Sequence, residues 1–254
     1  MPRIKPSGQP PKVWKLIEKT DKNGKPMKFT IQEIPEDRYE DAVQHMCTYY
    51  LVDEPTCAYL NAKDDPVFVQ DVSTRWRLLL AEGISIAAFT DNPDGGKPII
   101  AGMNVLGIRS KNEKDNIYDY YEFKSEKYKY RTEIGANATK VVYERYPEID
   151  KYLYAIGLSV DPAYRRYGLC KDILKTRDLI GPMYGVPATS TGFTSIISQK
   201  SAAGVGFEEF SKTNFSNLVD KNGKEYFPGI SIKEYKVMGK RLCSVKFESA
   251  RSAL

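Results

Sequence analysis

The stretch Leu158-Ser159-Val160-Asp161-Pro162-Ala163-Tyr164-Arg165-Arg166-Tyr167-Gly168-Leu169-Cys170 decides how the chain is read. Upstream of it, Tyr152–Val160 is a nearly continuous apolar run, the pattern of a strand buried on both faces. Asp161-Pro162 ends that run. A short basic loop follows, and a helix is expected from Gly168 to Ile180, with Leu169, Ile173, Leu174 and Ile180 inward and Gly181-Pro182 stopping it. Unpaired N–H groups at a helix start bind anions, and the helix dipole adds to the attraction. Arg165, Arg166 and Lys171 add positive charge, and Gly168 lets a phosphate approach the backbone. The residues alone support two readings, a diphosphate cradle or a charged loop before an ordinary helix. Neither G-x-x-x-x-G-K-[ST] nor G-x-G-x-x-G after a strand is present.

Outward from this segment, strands are expected at 13–18, 28–34, 84–89, 99–108, 188–193, 207–212, 230–238 and 242–247. Helices are expected at 36–51, from Asp65-Pro66 onward, at 132–146 and at 194–203. Tyr39, Val43, Met46, Cys47 and Tyr50 share one face of the first helix. Phe68, Val72, Trp76, Leu79 and Leu80 share one face of the second. Residues 110–132 show no clear period. The order points to an α/β fold, a single mixed β-sheet flanked by helices. Residues 1–11 carry four prolines and read as a flexible arm, followed by one domain over 12–250.

The chain has 254 residues and a formal charge of +5. Residues 1–28 hold eight Lys/Arg against two Asp/Glu, so the basic excess is expected in a tail and argues little for nucleic-acid binding. One histidine, His45, leaves little room for zinc sites or histidine-based triads, and no metal is expected. The cysteines Cys47, Cys57, Cys170 and Cys243 form no Cys-x-x-Cys pair. With no signal-peptide core at the start, free thiols and a cytoplasmic location are expected. No segment has the character of a membrane span, so no membrane partner is expected. The oligomeric state is open, with a monomer expected.

Arg165-x-x-Gly168-x-Cys170 after a Val-Asp-Pro strand end resembles the coenzyme A motif of the GCN5-related N-acetyltransferases (GNAT), with cysteine where that motif has glycine or alanine. Val205-Gly206-Phe207 after a short helix matches the superfamily's second acetyl-CoA element. A narrower resemblance covers residues 13–248. Val13-Trp14, Phe29–Glu36, Asp53-Glu54-Pro55 and the Ser/Thr-rich 189–198 are similar to insect arylalkylamine N-acetyltransferases.

The resemblance implies a GNAT-like fold and acetyl-CoA as cosubstrate. Acetyl-CoA would be held by Leu158, Ser159, Val160, Arg165, Arg166, Tyr167, Gly168, Leu169, Cys170, Lys171 and Ser198. Acetyl would pass directly to a small amine. Glu54 would be the general base, Thr194 and Ser198 assisting hydroxyls, and Tyr50, Asp53 and Glu54 the acceptor side. Thr194 also reads as a helix N-cap, and Asp53-Glu54 as an ordinary helix end.

The chemistry requires a base, since an alkylamine is mostly protonated at neutral pH, and a carboxylate is available for that work. Asp53 beside Glu54 is expected to raise the Glu54 pKa. A backbone N–H near Leu158, pointing into a gap beside the central strand, is the expected donor to the thioester carbonyl. Cys170 as a nucleophile is a rival reading. So are a polyamine or agmatine acetyltransferase and a binding module without turnover. Tyr49, Tyr50, Tyr59, Tyr118, Tyr120, Tyr121, Tyr128 and Tyr130 are candidates for an aromatic acceptor wall, with no means in the spacing to choose among them.

Overall fold

The apolar run becomes β5 (Lys151–Val160), the fifth strand of an eight-stranded sheet. This computed structural model describes residues 4–6, 8–20, 24–111, 120–220 and 222–242, with side chains outside 133–139. The other strands are β1 (Val13–Thr20), β2 (Pro26–Glu33), β3 (Ile86–Thr90), β4 (Ile99–Ser110), β6 (Ala188–Phe193), β7 (Glu208–Asn214) and β8 (Glu234–Arg241). They lie in the order β1-β2-β3-β4-β5-β6-β8-β7. Every neighbouring pair is antiparallel except β5–β6, which is parallel. The single mixed sheet of the sequence reading is therefore present.

The helices are α1 (Tyr39–His45), α2 (Leu51–Asp53), α3 (Pro55–Tyr59), α4 (Pro66–Ala81), α5 (Glu126–Arg145), α6 (Leu169–Met183) and α7 (Ile196–Ala203). Met46–Tyr50, between α1 and α2, is a π-helical turn. Helix α4 starts where Asp65 Oδ1 accepts from the Phe68 N–H at 3.1 Å, with Pro66 in the first turn. All five residues of its expected stripe are fully buried. They join Met46, Tyr50, Tyr128 and Tyr154 in a large core on one face of the sheet. A second core gathers Phe29, Ile31, Leu153, Leu169, Ile173 and Ile180 around α6.

Several expectations change. The helical region runs on past the expected end at 51, and Pro55 opens α3 with Glu54 as its cap. Helix α5 begins at Glu126, inside the stretch without period, where Ser125 Oγ accepts from the Tyr128 N–H. Helix α6 continues through Gly181-Pro182 to Met183. Strand β8 starts at Glu234, not 230. The last expected strand, 242–247, lies outside the described residues beyond Leu242.

The basic N-terminal segment is not all tail. Lys15 and Lys19 on β1 pair with Asp172 Oδ1 and Oδ2, each at 2.7 Å. Within the expected arm, the Ile4 and Lys5 N–H groups donate to Glu82 O, and buried Lys5 pairs with Glu33. Among the described residues no helix is long and apolar enough to cross a membrane.

Candidate active site

Strands β5 and β6 share a single register pair, Leu153 with Thr189, and then part. Along the same stretch β5 carries a bulge against β4, where the register shifts between Asn104–Leu158 and Leu106–Ala155. Gly157 at the bulge has φ +106°, and a Cβ there would come within 2.3 Å of Met46 Cε. The bulge is held from both faces. Trp76 Nε1 donates to Ile156 O at 3.0 Å, and Asn104 Nδ2 donates to Gly157 O at 2.7 Å.

A cavity of about 1260 Å³ occupies the gap and runs from α3 to the start of α6. At the α6 end, Arg166 has φ +71° and Gly168 has φ +77°. A left-handed residue beside one of ordinary φ turns consecutive backbone N–H groups toward one side, an anion-binding concavity. A Cβ at Gly168 would meet only Lys19 Nζ, at 3.9 Å, so the approach to the backbone is open. Arg166, Gly168, Leu169, Cys170 and Lys171 line the cavity here. These features fit a diphosphate.

Of the expected cradle, Arg165 also lines the cavity but is engaged elsewhere, and Tyr167 lies outside the lining. The Tyr167 ring packs against the core around α6. The Arg165 guanidinium is paired with the Asp53 carboxylate, and its Nε donates to Val160 O at 3.0 Å. Cys170 lines the cavity, but burial pushes its thiol up, the opposite of the acidified nucleophile.

At the other end stands Glu54, buried and capping α3. Its Oε2 accepts from Thr56 Oγ1 at 2.6 Å and from the Cys57 N–H at 2.8 Å. Its Oε1 accepts from Thr194 Oγ1 at 2.6 Å. Arg131 Nε, from α5, lies 3.6 Å from Oε2, and the Arg131 guanidinium also donates to Tyr50 OH. Burial pushes the Glu54 carboxyl up, but Arg131 and the hydrogen bonds together hold it below its ordinary value. The expectation that Asp53 raises it is therefore corrected, since Asp53 faces Arg165 instead. Thr194 is not the N-cap of α7. Ser195 is, with its Oγ accepting from the Ser198 N–H at 3.1 Å. Ser198 lines the cavity, and its hydroxyl donates to Ser195 O at 2.8 Å.

The aromatic lining is Tyr50, Tyr143, Tyr152, Tyr154, Tyr164, Tyr235, Phe193 and Phe215. Of the tyrosines singled out in the sequence, Tyr50 alone is among them. Tyr128 is packed between Phe68 and Phe123, and the Tyr121 and Tyr59 hydroxyls donate to Asp71 and Pro228 O. Tyr118 lies outside the described residues. Among the described residues no group of three His, Cys, Asp or Glu side chains is placed to hold a metal ion.

No family model and no curated protein matches the chain. Solved structures do. The structure named for arylalkylamine N-acetyltransferase 7 of the yellow fever mosquito Aedes aegypti is 31% identical, with 94% of this chain and 98% of that one covered and a TM-score of 0.80. The chain belongs to the insect arylalkylamine N-acetyltransferase-like family of the GNAT superfamily. Two more distant structures share the fold. Arylalkylamine N-acetyltransferase 2 of Aedes aegypti is 22% identical over 85% of this chain and 99% of that one, with a TM-score of 0.68. Drosophila melanogaster polyamine N-acetyltransferase is 16% identical over 84% and 100%, with a TM-score of 0.69.

As a GNAT N-acetyltransferase, the chain has its motif residues at the end of β5 and the start of α6, with Glu54 across the gap. Sequence reasoning missed Arg131 and Arg177. Arg131 sits in the stretch without period and left no local signal. Arg177 did leave one, because it falls four residues after Ile173 and three before Ile180, on the inward stripe of α6.

Proposed function

We propose that this N-acetyltransferase transfers acetyl from acetyl-CoA to the primary amine of an arylalkylamine. The observation that carries this reading is the cavity lining. It is rich in aromatic rings, and among the described residues its carboxylates are Asp53 and Glu54, both placed against arginines. An aryl ring suits such walls. A polyamine or agmatine would bring a second cation toward Arg75, Arg109, Lys111 and Arg131, with no further carboxylate among the described lining residues to receive it.

Acetyl-CoA supplies a thioester. Arg166, Lys171 and the first amides of α6 bind its diphosphate. Arg165 ties that loop to Asp53 and so fixes the distance between the cradle and the acceptor side. Ser198 meets the pantetheine arm. The amine nitrogen bonds to the carbonyl carbon and the C–S bond breaks. The ammonium gives one proton to Glu54, directly or through Thr194, and the second N–H proton ends on the leaving thiolate. Glu54 is ionised at neutral pH and ready to accept. Cys47, Cys57 and Cys170 are free thiols, which suits a cytoplasmic enzyme.

Release of the coenzyme A thiol from acetyl-CoA, measured against tryptamine, dopamine, spermine and agmatine, tests the reading. Tryptamine or dopamine should be turned over with the higher kcat/KM. Preference for spermine or agmatine would overturn the arylalkylamine assignment, and binding without turnover would leave a coenzyme A-binding module.

A further inference from the structure

Arg177, on α6, is fully buried, and no ion pair to it is found among the described residues. Its neighbour Asp178 pairs instead with Lys240 at 2.6 Å. The Arg177 Nε and one terminal nitrogen donate to Asn104 Oδ1 at 3.1 and 2.7 Å. The other terminal nitrogen donates to Thr189 Oγ1 at 3.2 Å and Thr191 Oγ1 at 2.9 Å. The guanidinium thus joins β4 to β6 where β5 and β6 part, and it lines the cavity. Burial lowers its pKa to about 9, which still leaves a cation at neutral pH. A buried charge without a counterion works against stability, so fold stability is a poor account of its presence.

The partner of Arg177 points to a different account. Asn104 is fully buried and uses both ends of its amide. Its oxygen accepts from Arg177, and its Nδ2 donates to Gly157 O at 2.7 Å. That carbonyl shares a peptide group with the Leu158 N–H. In a trans peptide the two point in opposite directions. Holding the carbonyl toward β4 therefore turns the N–H away from β4 and into the gap. The ladder agrees. The Asp161 N–H donates to Ala101 O, so alternation makes Met103–Ser159 the next bonded pair and leaves the Leu158 N–H facing the β6 side.

We propose that Arg177 and Asn104 are positioning residues that aim and polarise the Leu158 amide toward the thioester carbonyl oxygen. The proposal rests on the acetyl-CoA reading above. Linked hydrogen bonds strengthen one another in a low-dielectric interior. The guanidinium draws on Asn104 Oδ1, the Asn104 amide becomes a better donor to Gly157 O, and the Leu158 N–H becomes a better donor into the gap. A donor held in place before charge develops on an acyl oxygen is a large part of acyl-transfer catalysis.

Asn104→Asp separates this role from a structural one. The new carboxylate still accepts from Arg177 and supplies the missing counterion, which offsets the Gly157 carbonyl left without its donor. It has no N–H for Gly157 O. The readout is the infrared carbonyl band of bound acetyl-CoA labelled with ¹³C at the thioester carbon, which needs no amine.

The wild-type protein should bind acetyl-CoA and lower the band frequency from its value in solution. N104D should bind with a Kd within about threefold of wild type and lose most of that shift. Arg177→Lys keeps the charge without the forked contact and should also lose part of the shift, and it serves if N104D does not fold. A full shift in either folded variant would overturn the proposal. Wild-type protein that binds acetyl-CoA with an unshifted band would overturn it while leaving the acetyl-CoA reading standing. Wild-type protein that does not bind acetyl-CoA would overturn both.

Discussion

Thr194 Oγ1 donates to Glu54 Oε1 at 2.6 Å, joining side chains 140 positions apart across the cavity. The hydroxyl comes from the turn between β6 and α7, and the carboxylate from the start of α3. Hydrogen bonds to charged groups contribute roughly 1.5–3 kcal/mol, on the order of ten- to a hundredfold. Thr194→Val should lower kcat by about that factor, with little change in the KM for acetyl-CoA. Thr194→Ser, which keeps the hydroxyl, should restore most of the rate. Equal rates in all three proteins would show that the hydroxyl is outside the proton path.

Glu54→Gln keeps the shape of the side chain and removes its charge. General-base assistance is worth roughly 10²–10⁴-fold, and the rate at neutral pH should fall by a comparable factor. Because the wild-type carboxyl is held below its ordinary value, it stays ionised from pH 6 to 9. The wild-type rate should therefore show no step from Glu54 in that range, while the variant gains rate as the amine deprotonates. The defect of the variant should narrow toward high pH. A variant with near-normal rates across this range would remove Glu54 from the proton path.

The Asp53–Arg165 pair is half-exposed, so its own strength is modest and screened by salt. Its importance lies in connecting the acceptor side to the α6 cradle. Asp53→Ala and Arg165→Ala should each raise the KM for acetyl-CoA by about two- to fivefold, and the double variant should be no worse than the poorer single one. Additive effects would mean that Arg165 acts on the diphosphate independently of Asp53.

Burial lowers the His45 pKa from 6.5 to about 4, so the folded protein holds a neutral ring. The unfolded chain takes up a proton as pH falls below 6.5, while the folded state resists until about 4. Stability is therefore fully present above pH 6.5 and is lost on the way down, by about 3 kcal/mol at most. The thermal midpoint should fall between pH 6.5 and 4, and His45→Leu should flatten that fall. An equal slope in the variant would place the acid sensitivity elsewhere.

What the sequence revealed followed local physics. Strand β5 was readable as an apolar run, and α4 from its cap, its proline and its stripe. The motif at 158–171 was readable because loop, glycine and helix start are contiguous. The partners of Glu54 were not. Arg131 comes from a helix whose polar surface has no period, and α5 is held by its Ser125 cap and by Tyr128 packed against Phe68 and Phe123. The pairing of Asp53 with Arg165 needed the fold, since adjacency in sequence suggested that Asp53 acts on Glu54. Asn104 was hidden inside an apolar strand, whereas Arg177 was legible as a single charged residue on the inward stripe of α6.

Because β5 and β6 meet at one register pair, the backbone ladder is nearly interrupted between the first five strands and the last three. Hydrogen exchange should register that seam. Amides of β6 and β8 should open as a cooperative unit of lower free energy than the β2–β5 block, since little main-chain bonding ties the two together. A long ligand lying in the gap would bond to both edges and fasten them, so protection of the three-strand unit should rise when the gap is filled, even at amides far from the ligand.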